Sequence, residues 1–179
     1  MVLVGCHVSI AGSIDLAVGR AGERGCDTFQ IFSRNPRGWK AKDLDAGSAD
    51  AFRAAMRASG LGPVVDHMPY LPNPASPDDE IYEKSVALLA AELRRCALLG
   101  IPYLVTHLGH HRGIGTEVGQ ARVHPIPDLV RRSGPFAGAV RGPEDSLRLV
   151  LDARAVFLRA VYLRGADDIP SQPSDDEHR

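Results

Sequence analysis

Through the first 110 residues or so, short apolar runs alternate with longer stretches of helical periodicity, and glycine or proline marks most junctions. Val2 to Val8 is a β-branched run that predicts a first strand. From Gly12 to Arg24, the residues Ile14, Ala17, Val18 and Ala21 share one stripe, which predicts a helix stopped by Gly25. Thr28 to Phe32 predicts the second strand, and Asn35 to Lys42 a polar loop holding Trp39. Ser48 is placed to cap a helix through Ser59, where Gly60 ends it, and Pro63 to His67 predicts the third strand. The next helix has the strongest signals. Ser76-Pro77-Asp78-Asp79 supplies an N-cap, a proline at the first helical position and acids against the positive end of the dipole. Val86, Leu89, Leu93 and Cys96/Ala97 then repeat at helical spacing, Gly100 closes the helix, and Pro102 to His107 predicts the fourth strand.

Strands separated by crossover helices imply a parallel sheet. Length limits how far it extends: a complete (β/α)8 barrel takes about 250 residues, with about 200 near its lower limit, and this chain has 179. The expected fold is α/β, a partial TIM barrel of about four parallel βα units with a divergent, partly disordered C-terminal segment. Residues 1–122 form the half-barrel, 123–169 the divergent segment and 170–179 a disordered tail. The texture changes near Val123, where prolines punctuate the chain and arginines recur from Arg131 to Arg164, with no lysine after Lys84. One helix is predicted over Asp145 to Leu163, with Leu147, Leu151, Val156 and Leu158 partly in phase. No fifth or sixth strand with a functional residue at its end is predicted. Four units alone would leave the edges of the first and fourth strands unpaired. A monomer is expected, with self-association through those edges as the alternative.

A formal charge of -1 excludes general attraction to polyanions, so any nucleic-acid contact must come from a local patch. No stretch approaches the roughly 20 apolar residues of a membrane span, and no signal peptide is indicated, so a cytoplasmic location is expected. Cys6, Cys26 and Cys96 lack zinc-finger spacing and read as reduced, buried thiols.

The candidate chemistry lies at strand ends. His7, His67 and His107 each end a predicted strand and precede a polar or Gly/Pro turn. In a parallel barrel those ends share one rim, so distant imidazoles converge on one cavity, as metal ligands or as hydrogen-bonded structural residues. His110 and His111 follow in Leu108-Gly109-His110-His111-Arg112 and read as solvated, with ligation the alternative. Arg34, Arg37, Lys40 and Lys42 make a local positive patch in a loop that also carries Asn35 and Trp39. Such a loop suits phosphate contact and stacking, although a solvated charged loop has the same composition.

Four segments carry a family resemblance: Gly5-Cys6-His7-Val8-Ser9-Ile10-Ala11-Gly12, Phe32-Ser33-Arg34-Asn35-Pro36-Arg37-Gly38-Trp39, His67-Met68-Pro69-Tyr70-Leu71-Pro72-Asn73 and Thr106-His107-Leu108-Gly109. In this order and spacing, over about residues 1–122, they resemble the endonuclease IV family. Its members are zinc-dependent apurinic/apyrimidinic endonucleases with a TIM barrel related to xylose isomerase. The resemblance implies that His67 and His107 match two ligand positions of a three-zinc cluster. It also implies that Asn35, Arg37 and Tyr70 match DNA contacts, and that His7 lies at the site floor without ligating. The implied reaction is metal-assisted hydrolysis 5′ to an abasic site in damaged double-stranded DNA, with no catalytic residue beyond the metal ligands.

The family draws its remaining ligands, glutamates, aspartates and further histidines, from later strands. Those segments do not occur after Val123, and Glu144 and Asp145 lack the family context. Two histidines cannot hold three zinc ions, so the chain is expected to lack a complete site. A reading frame lost or replaced near residue 123 would account for the change, and the coding DNA in its other frames would reveal the missing motifs. The alternatives are a non-catalytic remnant with weak DNA binding, or another xylose isomerase-like, metal-dependent barrel enzyme. The cationic, aromatic rim loop argues against a small sugar as ligand.

Overall fold

Four strands lie side by side and parallel: β1 (Gly5–His7), β2 (Thr28–Ile31), β3 (Val64–His67) and β4 (Tyr103–His107). Among the described residues four helices accompany them: α1 (Leu16–Glu23), α2 (Ala46–Ser59), α3 (Asp79–Leu99) and α4 (Thr116–Val123). The computed structural model describes residues 2–126 and the backbones of two more strands, β5 (Arg148–Leu151) and β6 (Arg159–Leu163). Sheet order is β1-β2-β3-β4-β6-β5, with β6 antiparallel to both β4 and β5.

Alternation along the strands sorts their side chains by face. Phe29, Ile31, Val64, Asp66, Leu104 and Thr106 are buried on the helix-covered face. Their apolar members join Ala17 and Val18 of α1, Phe52 of α2 and Leu89 and Leu93 of α3 in one core. Gln30, Val65, His67, Val105 and His107 take the opposite face and are half-buried. That inner face is where a parallel barrel gathers the residues of its strand ends.

The helix ends differ from the expected positions because local side chains compete for the caps. Asp45 caps α2, its carboxylate accepting from the Ser48 N–H at 2.9 Å and from Ser48 Oγ at 2.7 Å, so the helix begins before Ser48. Asp78 caps α3 through the Ile81 N–H at 3.1 Å, and Ser76 Oγ accepts from the Asp78 N–H just upstream. Pro77 therefore precedes the helix. The first helix starts at Leu16, later than Gly12, whose φ of +87° is not helical. The stops are as expected, with Gly60 and Gly100 left-handed at φ 68° and 71°. The predicted first strand is shorter than its apolar run: Val2, Leu3 and Val4 are exposed, and pairing begins at Gly5.

Three expectations are corrected. The span Asp145 to Leu163 contains β5 and β6, not one helix. The contiguous apolar and β-branched runs Leu149-Val150-Leu151 and Ala160-Val161-Tyr162-Leu163 suit strands, whereas the helical phase there was irregular. The outer edge of β4 is paired, since β6 runs antiparallel along all of Tyr103 to His107. The thiols are free, but only Cys96 is buried; Cys6 is exposed and lies 3.7 Å (Sγ to Sγ) from half-buried Cys26. The predicted tail, 170–179, lies outside the described residues, as does most of 123–169. Among the described residues no helix is long and apolar enough to cross a membrane.

Candidate metal and nucleic-acid site

Side-by-side strands bring the three strand-end imidazoles onto one rim. His67 and His107, forty positions apart in sequence, have ring centroids 5.1 Å apart at an interplanar angle of 58°. His7 is on the same face, but the Phe32 ring stands between it and His67, with centroid distances of 4.5 Å to His7 and 5.3 Å to His67. His7 Nδ1 also lies 3.1 Å from Gln30 Oε1, the neighbour that register places beside it. The rim therefore holds one histidine pair and one histidine set apart by an aromatic wall. At His67, Nδ1 is 2.7 Å from the Met68 carbonyl and must donate to it, which puts the basic lone pair on Nε2. A metal-binding histidine is commonly oriented by such a backbone carbonyl.

These residues meet part of the requirement for zinc. Two neighbouring imidazoles, one with its tautomer fixed, suit a nitrogen-preferring divalent metal. A catalytic zinc takes three protein ligands, and among the described residues no group of three His, Cys, Asp or Glu could hold a metal. The pair supplies two of the three protein ligands that a catalytic zinc takes.

Beside the pair, a groove of about 500 Å³ is bordered by Tyr70, Asn73, His107, Gly109, His110 and Arg112. Tyr70 is 63% exposed and borders this groove, so its ring lies outside the packed core. Asn73 fastens the floor: its Oδ1 accepts from the His110 N–H at 2.7 Å and its Nδ2 donates to the His110 carbonyl at 2.9 Å. His110 and His111 stack with centroids 4.9 Å apart, and their Nδ1 atoms accept backbone N–H groups: from Arg112 at His110, from Gly113 and Gly115 at His111. They brace the turn before α4. Gly109 is the tight point, with φ +85° and no room for a Cβ against Asn73 Oδ1. Gly109→Ala is expected to cost at least about 1 kcal/mol more than Gly113→Ala, which shares the positive φ but faces open space, because only the former forces a new side chain into filled volume. Urea denaturation of the two variants is the check, and equal losses would refute the tight fit.

The loop after β2 turns at Asn35, whose Oδ1 accepts from the Arg37 N–H at 3.0 Å. Asn35, Arg37, Lys40 and Lys42 are exposed, and Trp39 is 36% exposed. Arg34 is not part of the surface patch. It is buried and paired with Glu92 at 3.4 Å, so the patch has three cations instead of four.

Beneath the loop lies a buried polar cluster. Asp66 Oδ1 accepts from the Ser33 N–H at 2.8 Å, Glu92 Oε2 accepts from Ser33 Oγ at 2.9 Å, and Cys96 Sγ is 3.4 Å from Asp66 Oδ2. Burial, and secondarily the Glu92 charge, lifts the Asp66 carboxyl to about 7. Burial raises Glu92 too, opposed by the Ser33 hydrogen bond and the Arg34 charge, and burial pushes the Cys96 thiol well above its ordinary value. Sequence reading missed this cluster, yet two signals were there. Asp66 precedes His67 in an apolar strand and so must face the helices, and Glu92 interrupts the apolar stripe of α3. Phe32 and Gln30 were likewise missed as site residues, although alternation puts both on the face of His7.

The xylose isomerase-like TIM barrel family matches residues 18–137. This chain belongs to it. A protein named probable endonuclease 4 from Methanoculleus marisnigri is 85% identical over 123 residues, covering 69% of this chain and 44% of that protein. One of the same name from Methanocorpusculum labreanum is 59% identical over 124 residues, again 69% and 44%. The chain thus spans under half the length of these curated relatives. Among solved structures, endonuclease IV from Thermus thermophilus superposes with a TM-score of 0.62 at 37% identity, covering 71% of this chain and 47% of that one. A D-psicose 3-epimerase reaches 0.53 at 12% identity, a likeness of fold alone. The resemblance read from the four motifs and the partial-barrel architecture both stand.

Proposed function

We propose that this chain carries the first half of an endonuclease IV-type site for zinc-dependent hydrolysis of the phosphodiester 5′ to an abasic site in double-stranded DNA. The observation that carries this reading is the meeting of His67 with His107 on one rim, in a chain 85% identical over 123 residues to a probable endonuclease 4. His67 and His107 are the proposed zinc ligands, and no further residue is assigned to catalysis. Asn35, Arg37 and Tyr70 are the proposed DNA contacts, and His7, behind Phe32, belongs to the site floor. Zinc held at the pair would supply Lewis-acid chemistry at a phosphate. Arg37 would pair with backbone phosphate and Tyr70 would offer an aromatic face, so damage is read through backbone shape and a missing base. Residues 1–122 form the unit proposed to do this, as a monomer in the cytoplasm.

A second reading, DNA binding without cleavage, is favoured by the lack of a three-donor group among the described residues. One experiment tests both: anisotropy and gel assays on a duplex with one abasic analogue and on its intact counterpart, with and without zinc. Preference for the abasic duplex is expected, and Arg37→Ala should weaken binding to both and lower the salt slope by about one. Zinc-dependent nicking supports the first reading and binding without nicking the second. Equal affinity for both duplexes would overturn the first reading, and absence of binding to either would overturn both.

A further inference from the structure

Both ends and the middle of the loop from Ser33 to Lys42 are tied to two side chains about one turn apart on α3. Glu92 accepts from Ser33 Oγ at 2.9 Å and pairs with Arg34 at 3.4 Å. Arg34 in turn donates through Nη2 to the carbonyls of Gly38 at 3.0 Å and Trp39 at 2.8 Å, drawing the far side of the loop inward. Arg95 donates through Nε to Ser33 Oγ at 3.1 Å, through Nη2 to the Ser33 carbonyl, and through Nη1 to the Lys42 carbonyl at 3.2 Å. Ser33 is also held by Asp66, the residue before His67, so the loop is indexed to the strand that carries a rim histidine.

A buried ion pair is weak evidence for net stability, because desolvation offsets most of its attraction. Directional, charge-assisted hydrogen bonds do fix geometry. Here they go to loop carbonyls and a loop serine, while Asn35 and Arg37 are left facing outward. The two arginines of the loop therefore have different tasks: Arg34 shapes it from inside, and Arg37 is presented by it.

We propose that Glu92 and Arg95, acting through Ser33 and Arg34, are positioning residues that set the loop shape in which Asn35 and Arg37 meet a DNA backbone. This rests on the DNA reading above for the identity of the ligand. The loop shape itself has an independent reporter, because Trp39 is the only tryptophan in the chain.

The test uses the full chain with Arg95→Met, which keeps the apolar stem and removes the donors, Arg95→Lys, and Glu92→Gln, which keeps volume and an oxygen toward Ser33. Trp39 emission and its acrylamide quenching report the loop, circular dichroism reports the fold, and anisotropy on an abasic-site duplex over a salt series reports binding. Arg95→Met and Glu92→Gln are expected to raise Trp39 quenching with unchanged helical signal. They should weaken duplex binding about tenfold and lower the salt slope by about one phosphate, with Arg95→Lys recovering part of both. If Arg95→Met does not fold, Glu92→Gln alone carries the test. Folded variants with wild-type quenching and wild-type salt slope would overturn the proposal. A Trp39 response in a chain whose wild type does not bind the duplex supports the clamp and overturns the DNA reading.

Discussion

Removing the imidazole of His107 or of His67 is expected to weaken zinc binding by about 100-fold or more. Loss of a partner that merely orients a ligand already costs about 10–100-fold, and here half of the available donor set would go. Two donors hold a metal by joint coordination, so either single alanine should approach the effect of the double variant. The strongly non-additive pattern is the signature to look for. His7→Ala should leave affinity nearly unchanged, because the Phe32 ring separates His7 from the pair. Calorimetric titration with zinc, and the visible bands of bound cobalt, give readouts that need no enzymatic activity. Both histidines are half-buried on the inner face, outside the apolar core, so circular dichroism should be unaffected. Comparable zinc affinity in the wild type and the double variant would remove the histidine pair as a metal site.

The second large effect concerns stability and pH. Asp66 is fully buried, and its carboxyl titrates near 7, whereas in the unfolded chain it would titrate near 3.8. Between about pH 4 and pH 7 the native state thus holds a proton that the unfolded state has released. More protons on the native side means that stability falls as pH rises through that window, and the loss is complete above about 7. The size is on the order of 4 kcal/mol. Asp66→Asn keeps an oxygen to accept from the Ser33 N–H and removes the titration. The variant and wild type should be nearly equally stable at pH 4, and by pH 8 the variant should be the more stable by that amount. Urea denaturation at the two pH values measures it, with carboxyl groups that do not interact with Asp66 cancelling between the proteins. Parallel pH slopes would mean that Asp66 is ionised in the fold across the whole range.

Strand ends and helix stops were legible because they depend on local rules. Gly60 and Gly100 end helices since only glycine takes the left-handed turn freely, and apolar runs closed by histidine marked β3 and β4. The motifs were legible for the same reason: contiguous residues in a fixed order. Caps were harder, because Asp45 competes with Ser48, and Asp78 with Ser76, over distances of three residues or fewer. The short α4 was not foreseen; Thr116 to Val123 has little amphipathic pattern to announce it. The segment Asp145 to Leu163 was misassigned because short apolar runs fit either period, and pairing with the exposed edge of β4 is a long-range interaction.

By itself, the chain of residue types determined that parallel strands would end in imidazoles and that a cationic, aromatic loop would follow β2. Local propensity and alternation are enough for that. Which of those groups touch was decided only in three dimensions. Register brought His67 to His107 and inserted Phe32 before His7, and packing of α3 under the loop turned Arg34 inward to Glu92 while leaving Arg37 outside. Side chains about sixty positions apart compete for the same buried volume and the same hydrogen-bond partners. That competition is settled by packing and not by any local pattern.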